Sequence, residues 1–200
     1  MAFDATSTFL ASGGSDGTVK VWDIIRKFCT HNFTNHTGLI QSLLFHGLTL
    51  FVSCDDNTVK RWSLHTSAVT EQFSSHVSTV TALLVHDNVL YTAGRDSVVL
   101  VWDLKKTTNK KFIHYEDPKA TYPAYEPLES LVYYSDHLYT AGQRGTVRKW
   151  TLDGKEQEPE ENRRSKTPNE PDLESYHSLM VKHDGLVAID NNHNIHFLNG

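Results

Sequence analysis

A tryptophan recurs along this chain at nearly fixed intervals, and each copy closes the same short phrase. SDGTVKVWDI (15–24), DDNTVKRWSL (55–64), RDSVVLVWDL (95–104) and QRGTVRKWTL (143–152) align on Trp22, Trp62, Trp102 and Trp150, at spacings of 40, 40 and 48 residues. A fainter copy, NNHNIHFLN (191–199), follows 48 residues on, with Leu198 in the tryptophan's place. A repeat of this length is one supersecondary unit that cannot bury its apolar face alone, so neighbouring copies must stack to make a core. That excludes most single-core folds before any other property is considered.

Each unit reads as β-strands. FLASGG (9–14), LFVS (50–53), VLYTAG (89–94) and HLYTAG (137–142) are short, apolar and end in a polar turn. TVKVWDI, TVKRWSL, VVLVWDL and TVRKWTL then alternate apolar and polar residues, the period of a half-buried strand. LIQSLLF (39–45), VTALLV (80–85) and LVYY (131–134) predict an inner strand upstream. AVTEQF (68–73) and KKFIHY (110–115) predict an outer strand downstream. No segment holds a helical period, which excludes a parallel sheet of βαβ units.

Four antiparallel strands ending near Trp-Asp resemble the WD repeat, the blade of a β-propeller. The resemblance implies an all-β fold with about five blades, near 1–35, 36–75, 76–116, 117–172 and 173–200, forming part of a ring expected to have seven. It also implies a hydrogen-bond set within each blade. His76, Thr92, Asp96 and Trp102 match that set completely. Ser12, Asp16 and Trp22 match it in the first copy, and His36, Asp56 and Trp62 in the second, where Ser53 sits one position out of register. The fourth copy keeps Thr140 and Trp150 but has Arg144 in the aspartate's place, and the fifth keeps Asn192 there. On this reading the glycines of SGGSDG (12–17) serve the backbone.

The chemistry that these residues suggest has a structural alternative in each case. His76, Thr92 and Asp96 have the types of a nucleophile, a base and an orienting acid, but the set recurs in other copies whereas an active site occurs once. Buried polar groups also need partners for their own sake. The expectation is therefore no catalytic residue and no enzyme. HNFTNH (31–36) and HNIH (193–196) bring histidines close in sequence, but no carboxylate or thiol cluster lies beside them in the chain, and no metal or other cofactor is expected. SGGSDG lacks the Gly-Lys-Ser/Thr end of a phosphate loop and leads into a strand.

Two segments interrupt the repeat. Residues 155–175 are charged, carry prolines and are almost free of apolar side chains, the composition of a solvated, mobile loop. Arg163, Arg164 and Lys166 beside Ser165 and Thr167 make it a candidate docking or modification segment. Residues 116–130 carry Tyr122 and Tyr125, which suit either a contact surface or packing against the blade. Lys20, Lys60, Arg61, Arg148 and Lys149 fall in third strands, as a solvated face or as contacts.

A formal charge of −5 argues against a chain-wide grip on nucleic acid. No run of about 18 apolar residues appears, so no spanning helix is expected, and two unpaired cysteines suit a reducing compartment. The wording of MAFDATSTFLASGGSDGTVKVWDIIR (1–26), CTHNF (29–33), GRDSVVLVWDL (94–104) and LYTAGQRGTVRKW (138–150) is similar to the transducin-beta-like, tandem-propeller WD subunits of the small-subunit processome. That resemblance implies a nucleolar scaffold for pre-ribosomal RNA processing. Its implied partners are other propeller subunits, with contact to small nucleolar or pre-ribosomal RNA and no small-molecule substrate. The alternative is a general WD adaptor, such as a ubiquitin-ligase substrate receptor. Such receptors often carry arginine two residues after Trp-Asp, whereas WDIIR places Arg26 one position late and WDLK has lysine.

Overall fold

The computed structural model describes residues 1–105, 113–115, 119–144, 146–157, 176–182, 185–190 and 195–198. The first sheet runs β1 (Ala2–Phe3), β2 (Phe9–Gly13), β3 (Val19–Asp23), β4 (Phe28–Phe33) in chain order, each strand antiparallel to the last. The second repeats it with β5 (Ile40–His46), β6 (Thr49–Cys54), β7 (Val59–Ser63) and β8 (Ala68–Phe73). The third begins with β9 (Val80–His86), β10 (Val89–Gly94) and β11 (Val98–Asp103).

Here the chain departs from the sequence expectation. The strand expected at 110–115 exists in part, as β12 (Ile113–Tyr115), but it pairs in parallel with β8 and makes the second sheet five-stranded. The outer strand of the third sheet is β13 (Ala120–Pro123), antiparallel to β11. The third blade thus extends through Pro123, beyond the boundary drawn at 116. The fourth sheet is β14 (Leu128–Tyr134), β15 (His137–Gly142), β16 (Val147–Thr151) and β17 (Glu156–Gln157). Three strands, β18 (Tyr176–Lys182), β19 (Gly185–Asp190) and β20 (Ile195–Leu198), form the last.

Successive side chains on a strand face opposite sides, and each blade uses both faces. Leu50 and Val52 of β6 pack toward the first blade with Ala11, Val19, Val21 and Phe33. Phe51, between them, packs toward the third with Leu90, Leu100 and Trp102. Two further clusters join the third blade to the fourth and the fourth to the fifth. The core is therefore a series of layers between sheets, the arrangement that the repeat requires.

The tryptophans lock these layers. Trp62 stacks on Phe33 with ring centroids 4.2 Å apart, Trp102 meets Phe73 edge-on at 5.3 Å, and Trp150 stacks on Tyr122 at 5.9 Å. Each indole reaches back to an aromatic on the outer strand of the preceding blade. Tyr122, 2% exposed, is thus a core residue, which decides between the two readings of that position.

Candidate functional site

In the first four blades, side-chain networks sit at one end, where the second strand turns into the third. In the third blade Asp96 lies in the turn after β10, and its carboxylate accepts from His76 Nδ1 at 2.8 Å and from the Val77 amide at 3.0 Å. His76 Nε2 lies 2.7 Å from Thr92 Oγ1, which also accepts from Trp102 Nε1 at 3.0 Å. Burial alone would raise the Asp96 carboxyl, but the His76 and backbone hydrogen bonds outweigh it and hold the group below its ordinary range. Thr92 is fully buried and its hydroxyl engages both His76 and Trp102. That geometry holds a blade together and leaves the hydroxyl no path to a substrate.

The other blades carry parts of this set. Trp22 Nε1 donates to Ser12 Oγ, and Trp150 Nε1 to Thr140 Oγ1, each at 3.0 Å. Asp16 is exposed and caps its own turn, accepting from Thr18 N at 3.0 Å and Thr18 Oγ1 at 2.7 Å. Gly17 in the same turn has φ +75°, a conformation that costs glycine little.

In the second blade His36 Nδ1 lies 3.1 Å from Asp56 Oδ2, while Asp56 Oδ1 accepts from Thr58 N and Oγ1. Register places Val52, opposite Lys60, where Thr92 stands opposite Leu100. With no hydroxyl there, His36 Nε2 and Trp62 Nε1 are buried without a hydrogen-bond partner, as is Ser53 Oγ one residue on. Burial would raise Asp56, but the hydrogen bonds from His36 and Thr58 and the charges of His36 and Lys60 hold it far below the carboxylate range. Lys60 is buried, donating to the Asn35 carbonyl at 2.6 Å and lying 3.5 Å from Asp56, so the solvated-face reading fails for it. Arg61 is likewise engaged, 2.9 Å from Glu71.

The fourth blade replaces the aspartate by a route that the motif does not announce. Ala124 stands where histidine is expected and Arg144 where aspartate is expected. Glu126, from the loop before β14, is 3% exposed and accepts from the Arg144 amide at 2.9 Å. A Cβ built on Gly142 would fall 2.2 Å from the Glu126 carboxyl carbon, so glycine makes room for the incoming acid. Nothing in the sequence marks Glu126, between Tyr125 and Pro127, for burial, since an acid is rarely buried without a partner and its partner lies 18 residues on.

His36 also closes HNFTNH (31–36), the stretch with no carboxylate or thiol cluster beside it in the chain. Folding brings Cys54 and Asp56 beside it, with one ligand-type atom from each of the three within 4.8 Å of the others. The chain separation of these residues hid the thiol and carboxylate that sequence reasoning had found lacking.

Two of the exposed large side chains lie at the network end. Val77 follows His76 and is 83% exposed; Tyr125 follows Ala124, the equivalent position, and is 73% exposed. Tyr125 also holds φ +60°, unfavourable for an aromatic residue. The Arg148 guanidinium lies 5.8 Å from its ring centre. The neighbouring Arg95 bridges the third and fourth blades through Glu129 at 3.2 Å. Arg163, Arg164, Lys166 and Asn192 lie outside the described residues.

The WD domain, G-beta repeat family matches residues 1–23, 27–63 and 67–103, which hold strands β1 to β11. These stretches are WD repeats. A chain in the crystal structure of the mitotic checkpoint complex is similar over 98% of this chain and 59% of its own, at a TM-score of 0.78 and 16% identity. That likeness shows the fold, a WD-repeat β-propeller architecture. Rat transducin beta-like protein 3 is 54% identical over 46 residues, 23% of this chain, and the human protein is 54% identical over the same length. The yeast U3 small nucleolar RNA-associated protein 13 is 52% identical over 44 residues, 22% of this chain. The matched segment spans only 6% of the rat protein and 5% of the yeast one. WD-repeat propellers are in general non-catalytic scaffolds that hold other proteins in assemblies, and the networks above serve that architecture.

Proposed function

We propose that this chain acts as a scaffold in the small-subunit processome, in the nucleolus, supporting pre-ribosomal RNA processing and small ribosomal subunit biogenesis. The observation that carries this reading is the local match in wording. Two named relatives reach 54% and 52% identity over 46 and 44 residues of this chain. One of those relatives is named for association with U3 small nucleolar RNA. The partners are then other propeller subunits, with RNA contact local or indirect, consistent with a net charge of −5.

The contact face that fits best is the network end of the third and fourth blades. Val77 and Tyr125 are apolar and exposed there, and Tyr125 is held in a strained backbone geometry of the kind that gathers at binding sites. The test is affinity purification of the tagged chain from cells, with the Val77→Asp, Tyr125→Ala double variant beside it. Enrichment of processome proteins and U3 RNA, lost in a double variant that melts like the parent, is the expected result. Recovery of cullin-ligase components instead would favour the adaptor alternative.

A further inference from the structure

Eight residues before the repeat's tryptophan the first, third and fourth blades carry glycine, at Gly14, Gly94 and Gly142; the second carries Cys54. A Cβ on Gly94 would come within 2.8 Å of His76 Nδ1 and 2.6 Å of Asp96 Oδ1. Cysteine at the same position of the second blade therefore sends its thiol to a histidine–aspartate pair of the kind that Gly94 leaves to itself in the third.

Nitrogen, sulfur and oxygen donors of His36, Cys54 and Asp56 then lie within 4.8 Å of one another. Tetrahedral zinc holds such ligands at about 2.0–2.3 Å, which separates the donor atoms by about 3.3–3.8 Å, so small side-chain movements close the site. His36 and Cys54 are buried, and the Asp56 side chain is 13% exposed. The Asp56 carboxylate is already aimed. Thr58 holds Oδ1 through two hydrogen bonds and turns Oδ2 toward His36, the outer-shell support that metal-binding carboxylates use. His36 also differs from His76 in being free at Nε2, because Val52 replaces the hydroxyl that clamps the other ring. It can shift toward an ion at no cost to a second hydrogen bond. Lys60 is the competing cation, and it keeps the Asn35 carbonyl as a partner when the carboxylate turns to a metal.

We propose that His36, Cys54 and Asp56 form a binding site for a divalent ion of the zinc class, with water in the fourth position. The mixed nitrogen, thiolate and carboxylate set selects such an ion over magnesium or calcium, which take oxygen ligands. On binding, the Cys54 thiol gives its proton to solvent and the sulfur bonds the metal as thiolate; no electron changes hands. The ion would staple the blade whose own network lacks a hydroxyl.

Cobalt(II) titration of the metal-free protein tests this, because a thiolate ligand gives a charge-transfer band and a tetrahedral site gives intense visible bands. The expected result is one equivalent of cobalt showing both, displaced by zinc, and a melting temperature raised by zinc. Cys54→Ala should melt as a folded protein yet lose the band and the zinc-dependent rise, while Cys29→Ser, at the exposed cysteine, should keep both. No thiolate band in the folded parent, the same band in Cys54→Ala, or its loss in Cys29→Ser would each overturn the assignment.

Discussion

Trp102 donates its indole N–H to the hydroxyl of Thr92, 3.0 Å away and ten residues earlier in the chain. The same ten-residue relation joins Trp22 to Ser12 and Trp150 to Thr140, and fails between Trp62 and Val52. One hydroxyl thus distinguishes a closed network from an open one in otherwise equivalent blades.

Thr92→Val should convert the third blade to the state of the second. Two buried polar groups, His76 Nε2 and Trp102 Nε1, would lose their partner, at a cost of about 2–3 kcal/mol. The reciprocal Val52→Thr should stabilise by about 1 kcal/mol, since it supplies a partner to two orphaned groups without adding volume. Urea melts of the two variants measure both; a destabilised Val52→Thr would mean that His36 and Trp62 are satisfied in some other way.

Gly142→Ala should destabilise by about 1–3 kcal/mol, because the new methyl collides with the Glu126 carboxyl, a buried group held by the Arg144 amide. Gly185→Ala, with open space around the added carbon, should be close to neutral. Equal melting midpoints for the pair would remove the case for Glu126 as a wedge.

The two tyrosines of the 116–130 segment should behave oppositely. Tyr122→Ala removes a buried ring stacked on Trp150 and a hydroxyl that donates to the Leu152 carbonyl at 2.9 Å, a loss of about 3–5 kcal/mol. Tyr125→Gly relieves a left-handed backbone and should leave stability unchanged or raise it by about 1 kcal/mol. Burial pushes the Tyr122 hydroxyl up to about 12, aided by Tyr91 and Asp153, so spectrophotometric titration should show a phenol that ionises last and vanishes in Tyr122→Phe.

Acid should unfold the propeller through its turn aspartates. Asp56 and Asp96 have folded-state values below the unfolded carboxylate value of about 3.9, so their contribution is present above that pH and is lost as pH falls through the folded values. Glu71 acts with the opposite sign, since burial raises it despite Arg61. Urea midpoints should drop steeply below about pH 4, and Asp96→Asn should flatten that drop. An unchanged slope in Asp96→Asn would place the acid sensitivity elsewhere.

The strands around each tryptophan were legible because their signal is local: alternation within five residues, then a turn. The ten- and twenty-residue spacings were legible too, since the first joins neighbouring strands of one sheet and the second joins the loop before its first strand to the turn after its second. Three features escaped for a common reason. Glu126 acts on a turn 18 residues away, Lys60 turns inward to a loop carbonyl 25 residues back, and Cys54 meets a histidine of the loop between β4 and β5. Each depends on which way a side chain points after folding. The outer strand of the third blade escaped because Ala120–Pro123 ends in proline, whereas 110–115 has the stronger β composition and pairs with a different blade.

That exchange has a mechanical consequence. A stack of blades that touch only their neighbours through side chains can peel one layer at a time. Here Ile113–Tyr115, from the run of chain linking β11 to β13, is stitched by main-chain bonds to the rim of the sheet before it. Pulling the third layer away would have to tear that seam first, so force or heat should release the second and third layers as one unit rather than in turn.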